Sequence, residues 1–186
     1  MPRAVALLRG INVGGHRVAM ADLRRHVEAL KLGNVATFIA SGNVIFDTPA
    51  RADLAALEQR IERHLAKALG YEVPTFIRTI DEITAVAAAE PFPDAAATDS
   101  LYVSFLRAAP DAAAKRAVLD LESPVDTFCF RGRELYWRCR GKISEVSIAW
   151  PKLEKLARSA KSIDGTSRNI TSVRKLLAAM GGGSGA

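Results

Sequence analysis

The spacing of apolar residues changes in a regular order along the chain. Arg3–Leu8 is a short apolar run cut off by Arg9, the mark of a buried strand. Met20, Leu23, Val27 and Leu30 then recur at three and four, predicting a helix over residues 20–32 with Gly33 as its C-terminal stop. Two β-prone runs, 35–40 and 44–47, are divided by the tight turn Ser41-Gly42-Asn43. Leu54, Leu57, Ile61, Leu65 and Leu69 form the strongest helical stripe, over 52–69, and Gly70 closes it. A further strand covers 73–79, where Pro74 points to a sheet edge or a strand start.

This order, β-α-β-β-α-β, is that of a ferredoxin-like plait. A right-handed crossover makes the first two strands parallel, so their ends share one rim of the sheet. The loop 9–15 and the turn 41–43 are therefore expected to be neighbours. A helix over 81–89 and a connector over 91–99, opened by Pro91-Phe92-Pro93, precede a second cycle. It holds a strand over 101–106 ended by Arg107, a helix over 111–121, and a hairpin of strands 126–131 and 134–140 about Gly132-Arg133. After a helix over 151–160 the pattern offers no fourth strand, only a last helix that begins within 165–169, with Thr166 or Ser167 as N-cap, and runs to Met180.

The predicted fold class is α+β: two ferredoxin-like βαββαβ halves from an internal duplication, with an extra C-terminal helix. The first half takes 1–90, the connector 91–99, the second half 100–180, and a flexible glycine-rich tail 181–186.

Composition sharpens this reading in two places. The 49% hydrophobic content is enough for a core without metals or cross-links, and the apolar run near the N-terminus is too short for a membrane span or a signal peptide. In the hairpin register Cys139 shares a face with Phe128 and Trp137, whereas Cys129 lies on the other face with Arg131 and Tyr136, so the two thiols cannot pair. Free thiols fit a reducing, cytoplasmic setting. The net charge of +6 is uneven, with 11 basic against 12 acidic residues over 1–106 (net −1) and 15 against 8 over 107–186 (net +7). That asymmetry favours an anionic partner, a phosphorylated metabolite or nucleic acid, or else a solvated basic surface.

Candidate chemistry gathers in the first loop. Gly10, Gly14 and Gly15 allow positive φ angles that bring amide N–H groups together near a helix start, a combination suited to an anion. Arg9 adds a guanidinium, and Asn12 and Asn43 offer amides. With Ser41 and Gly42 they make a candidate ligand-binding rim, which Arg168, Asn169, Thr171 and Lys175 complete if the last helix points its N-terminus there. The structural alternative is that Gly14-Gly15 turns the chain, Asn12, Asn43, Thr166 and Asn169 cap it, and Arg168 and Lys175 are solvated. No paired acids, Ser-His-Asp order or metal-ligand spacing can be assembled around His16, the single histidine in this loop, and His26 and His64 read as solvated helix residues. No cofactor is implied. On the second hairpin, Arg131, Tyr136, Arg138 and Arg140 share a polar face that resembles a basic platform for RNA with one stacking ring. The leading expectation is a binding protein for a nucleotide-like or phosphorylated ligand or a nucleic-acid end. The alternative is a small transferase or hydrolase acting on a phosphorylated substrate in the same pocket.

The run Leu7-Leu8-Arg9-Gly10-Ile11-Asn12-Val13-Gly14-Gly15, then Thr37-Phe38-Ile39-Ala40-Ser41-Gly42-Asn43-Val44-Ile45-Phe46, and Thr166-Ser167-Arg168-Asn169-Ile170-Thr171 with Lys175 closely resemble the bacterial family called domain of unknown function 1697. The chain departs from it at Ala40, where Gln is frequent, and at Ile170, where an aromatic is frequent. The resemblance implies an α+β fold with duplicated plait-like halves and leaves the activity open.

Overall fold

The computed structural model describes residues 1–141, 149–159 and 163–181. The chain divides into two units, Met1–Ala85 with the residues from Arg174 on, and Val86–Val173.

In the first unit β1 (Arg3–Leu8) leads through α1 (Met20–Glu28) to β2 (Gly33–Phe38), which turns into β3 (Asn43–Asp47). α2 (Leu54–Leu69), β4 (Thr75–Thr79) and α3 (Ile80–Ala88) follow. The sheet is antiparallel in the order β2-β3-β1-β4. β1 is central, and its unbroken apolar run is buried throughout from Ala4 to Leu8. Ala4, Ala6 and Leu8 pack with Leu23 and Val27 of α1 and Leu57, Ile61 and Leu65 of α2 in one core. Asp53 caps α2 by accepting a hydrogen bond from the Ala56 amide at 3.0 Å. α1 is shorter than expected: Lys31 takes a positive φ of 57° and Gly33 starts β2, so the stop lies ahead of the glycine.

The second unit repeats this layout with β5 (Ser100–Leu106), α4 (Ala112–Leu119), β6 (Asp126–Arg131), β7 (Glu134–Cys139), α5 (Ala149–Ser159) and β8 (Gly165–Asn169). Its sheet order, β6-β7-β5-β8, matches the first position for position. The helix-covered core joins Leu106, Val118, Phe128, Leu135, Trp137, Cys139 and Leu153. The hairpin register pairs Phe128 with Trp137 and Cys129 with Tyr136, and both cysteines are free. One expectation is corrected: 165–169 is not a helix start but the fourth strand, paired antiparallel to β5 from Leu106↔Gly165 to Tyr102↔Asn169. Five residues without a single large apolar side chain hide a strand whose stability comes from its neighbour. The last helix, α6 (Ile170–Gly181), starts after it. Ala160 and the tail 182–186 lie outside the described residues.

The same two backbone hydrogen bonds close the same edge in each unit. Leu8 N donates to Gly42 O at 2.8 Å and Arg9 N to Pro74 O at 2.9 Å, while Leu106 N donates to Arg133 O and Arg107 N to Asp164 O, both at 3.0 Å. Arg9 and Arg107 are thus equivalent, and so are the turn positions of Gly42 and Arg133. No helix among the described residues is long and apolar enough to cross a membrane.

Candidate functional site

Three connections meet at one rim of the first sheet: the loop from β1 to α1, the β2–β3 turn, and the link from α2 to β4. The bonds from Leu8 to Gly42 and from Arg9 to Pro74 hold their roots together. Asn12 joins the tips of the first two. Its backbone takes a φ of 58°, its Nδ2 donates to Ala40 O at 3.2 Å, and its Oδ1 accepts from Val18 N at 2.7 Å. Asn43 is buried, and its Nδ2 donates to Phe38 O at 3.1 Å and to Ser41 Oγ at 2.8 Å. The loop 9–15 and the turn 41–43 are therefore neighbours, as the crossover rule requires, but the two asparagine amides brace the rim.

The groups that face outward at this rim are different ones. Gly10, Gly14 and Gly15 have φ of 81°, 61° and 91°, and a side chain added at any of them would meet nothing within 4 Å. Their conformation is what lets the loop keep its backbone open. Partly exposed Arg9 carries its guanidinium 5.7 Å from the centre of the Phe76 ring. Exposed His16 stacks on Tyr71 at 3.8 Å. Ala19 precedes α1 without a side-chain cap, so no side chain competes for the first amides of that helix.

Alongside this helix start lies a cavity of about 220 Å³ lined by Arg17, Val18, Ala19, Asp22, Arg25, His26 and Leu69. Arg25 is paired with Asp22 across one turn of α1. His26 meets the ring of His64 edge-on at 6.2 Å, and the buried His64 Nε2 has no hydrogen-bond partner. His26 and His64, read from the sequence as solvated helix residues, are half-buried and meet one another, while His16 stacks on Tyr71. The signal was present in the sequence: Asp22, Arg25 and His26 lie three and four apart on one helical stripe.

The C-terminal candidates separate. Arg168 lies on β8, where its Nη1 donates to Thr166 Oγ1 at 2.8 Å and Ser167 O at 2.9 Å, and burial holds its pKa down to about 10. Asn169 Oδ1 accepts from Thr171 N at 2.8 Å and so caps α6, the capping role the structural alternative gives it, in place of Thr166 or Ser167 as the N-cap. Thr171 and Lys175 are exposed on that helix. The basic platform of the second hairpin is open only at Arg131 and Arg140. Tyr136 is 4% and Arg138 5% exposed, and Arg138 pairs with Asp94 at 2.9 Å beneath the Phe92 ring, 5.3 Å away. Phe92 and Asp94 thus cover part of the face on which RNA bases would have to stack.

Residues 1–136 match the family described as "Protein of unknown function (DUF1697)". Among solved structures, the conserved bacterial protein SP0830 from Streptococcus pneumoniae is similar over 97% of this chain and 99% of its own, with a TM-score of 0.79 and 24% identity. That likeness is one of fold. No curated protein matches the chain.

Proposed function

The chain belongs to the DUF1697 family of proteins of unknown function, and from the rim geometry we propose that it is a cytoplasmic binding protein for an anionic ligand, nucleotide-like or phosphorylated, held at the edge of the first sheet. The observation that carries this reading is the cavity of about 220 Å³ lined by Arg17, Arg25 and His26 beside the start of α1. Arg17 and Arg25 outnumber the single acid, Asp22, and the uncapped first turn of the helix adds the positive end of its dipole. Exposed Gly14 and Gly15, both at positive φ, lie in the same loop as Arg17, and Arg9 and exposed Ser41 belong to the same rim, whereas Gly42 is buried with its carbonyl bonded to Leu8 N. Asn12 and Asn43 hold this frame in place and are positioning residues.

A thermal-shift titration with inorganic phosphate, pyrophosphate, sugar phosphates and nucleotides tests the reading, because a ligand that prefers the native state raises Tm as its concentration passes Kd. At least one of these anions is expected to give a saturable rise that Arg17→Ala and Arg9→Ala each weaken. Arg116→Ala, on exposed α4, should leave it intact. No shift with any of the anions, or a shift that survives the Arg9→Ala/Arg17→Ala double variant, overturns the proposal.

A further inference from the structure

Counted at formal charge, Arg17 and Arg25 against Asp22 leave the wall of the cavity beside α1 with a net +1 (2 − 1). The fourth polar side chain on that wall is His26, and imidazole is the side chain whose charge ordinarily changes between pH 5 and 8. A proton on His26 would double the net charge of the wall to +2.

His26 does not act alone. Its ring meets that of His64, on α2, edge-on at 6.2 Å, and both side chains are half-buried. Among the described residues neither imidazole makes a hydrogen bond or an ion pair, and His64 Nε2 is buried without a partner. The polar atoms of Asn12 and Asn43 brace the fold, whereas those of this pair do not. The other charged groups of the two helices are turned elsewhere. Glu58 and Glu62 accept from β4 amides, Arg60 donates to Leu30 O, and Arg24 pairs with Glu28. Arg63 and Lys67 are exposed on α2, and β2, which packs against α1, carries no titratable side chain. The charge around His26 therefore comes from Arg17, Asp22 and Arg25, with His64 as the second imidazole.

Resting on the anion-binding reading above, we infer that the cavity takes up a dianion together with a proton, the proton held by the His26–His64 pair. A dianion beside an imidazole favours its charged form, and by linkage the charged imidazole strengthens anion binding by the same factor. The proton comes from solvent, and no bond to the ligand is made or broken. One unit charge about 5 Å from a dianion changes its affinity about tenfold at moderate salt. Affinity therefore rises as pH falls from 8 to 5.5. The arginines select for an anion, and the histidine pair makes its uptake answer to pH.

Calorimetric titration of the full chain with sulfate tests this, because sulfate keeps its two charges across the range and any pH dependence then belongs to the protein. Sulfate is expected to bind about tenfold more tightly at pH 5.5 than at pH 8.0 at one ionic strength. At pH 7.2 the binding enthalpies in bis-Tris and in Tris, whose ionisation heats differ, should diverge in the sense of proton uptake, a readout that needs no variant. His26→Gln should flatten the pH dependence and His64→Gln should reduce it. His16→Gln, which removes the ring stacked on Tyr71, should keep it. Sulfate binding that does not vary with pH and takes up no proton, or a pH dependence that His26→Gln and His64→Gln both retain, overturns the inference and leaves the anion site standing. No sulfate binding at either pH overturns the inference, and the thermal-shift titrations with phosphates then decide the site itself.

Discussion

Asn12 shows how a side chain organises a site while its own polar atoms are engaged elsewhere. One amide serves as donor to Ala40 and acceptor from Val18, and the backbone beneath it is left-handed. Asparagine tolerates that conformation better than most residues because its short polar side chain bonds locally. Asn12→Ala loses both bonds and keeps the strained φ, so urea denaturation should show a cost of about 1–3 kcal/mol. Asn12→Gly loses the same bonds but relaxes the backbone, and its cost should be the smaller of the two. Gly42 offers a second test. At φ 74° an added Cβ would lie 3.1 Å from Leu8 Cβ and 3.2 Å from Ile11 Cβ, whereas Gly14, also at positive φ, has open space around it. Gly42→Ala should therefore destabilise more than Gly14→Ala, by about 1–2 kcal/mol. Whether an asparagine in a glycine-rich loop faces a ligand or its own chain depends on contacts such as the one between Asn12 and Ala40, 28 residues away, and no local pattern encodes them.

At the level of elements, the edge of β4 away from β1 is closed by acids. Thr75 N, Ile77 N and Thr79 N, alternate amides along this edge strand, donate to Glu62 at 2.8 Å, Glu58 at 2.7 Å and Glu82 at 2.8 Å. Paired this way, the strand cannot template another chain. Glu58 is 4% exposed, and its removal leaves a buried amide without an acceptor. Glu58→Ala should cost about 1–3 kcal/mol by urea denaturation, and Glu58→Gln, which keeps a carbonyl oxygen, less. The second sheet depends on a different local feature. A Cβ at Gly165 would come within 2.7 Å of Phe105 O and 2.8 Å of Leu106 Cδ2, so β8 approaches β5 only because that side chain is missing. Gly165→Ala should cost about 1–3 kcal/mol, and thermal melts should place it well below Gly181→Ala, where nothing lies within 4 Å and φ is not in the left-handed region. These two strands also mark what periodicity can and cannot reveal. The stripe of α2 and the apolar run of β1 are legible because their own side chains make the core. β8 is not, because its register is imposed by the strand beside it.

Over the whole molecule, the repeated β-α-β-β-α-β order was legible in the first half and legible in the second up to the helix after its hairpin, since each plait needs the same alternation of spacing to cover one sheet face. Which residues of the rim stay open was not, because it depends on how three separate connections meet. Burial also decides how the molecule responds to pH, through groups that composition alone leaves undistinguished. On the acid side, the hydrogen bond from Arg138 holds the Asp94 carboxyl below its ordinary value, so its contribution is present at neutral pH and fades as pH falls below the carboxylate range, about 4. Asp94→Asn should flatten that part of the acid limb. On the alkaline side, burial raises Cys139 to about 11 and Tyr136 to about 12. A raised acid is more easily ionised in the unfolded chain, so stability is complete below the unfolded thiol pKa of about 9 and is lost as pH rises through 11. A shift of this size for fully buried Cys139 corresponds to roughly 2–3 kcal/mol at the end of that window. Urea unfolding at pH 8 and pH 10.5 followed by far-UV circular dichroism should show the wild type losing stability between the two. Cys139→Ala should start lower, for the lost sulfur packing, but fall less. An equal fall in both proteins would place the alkaline sensitivity on Tyr136 instead.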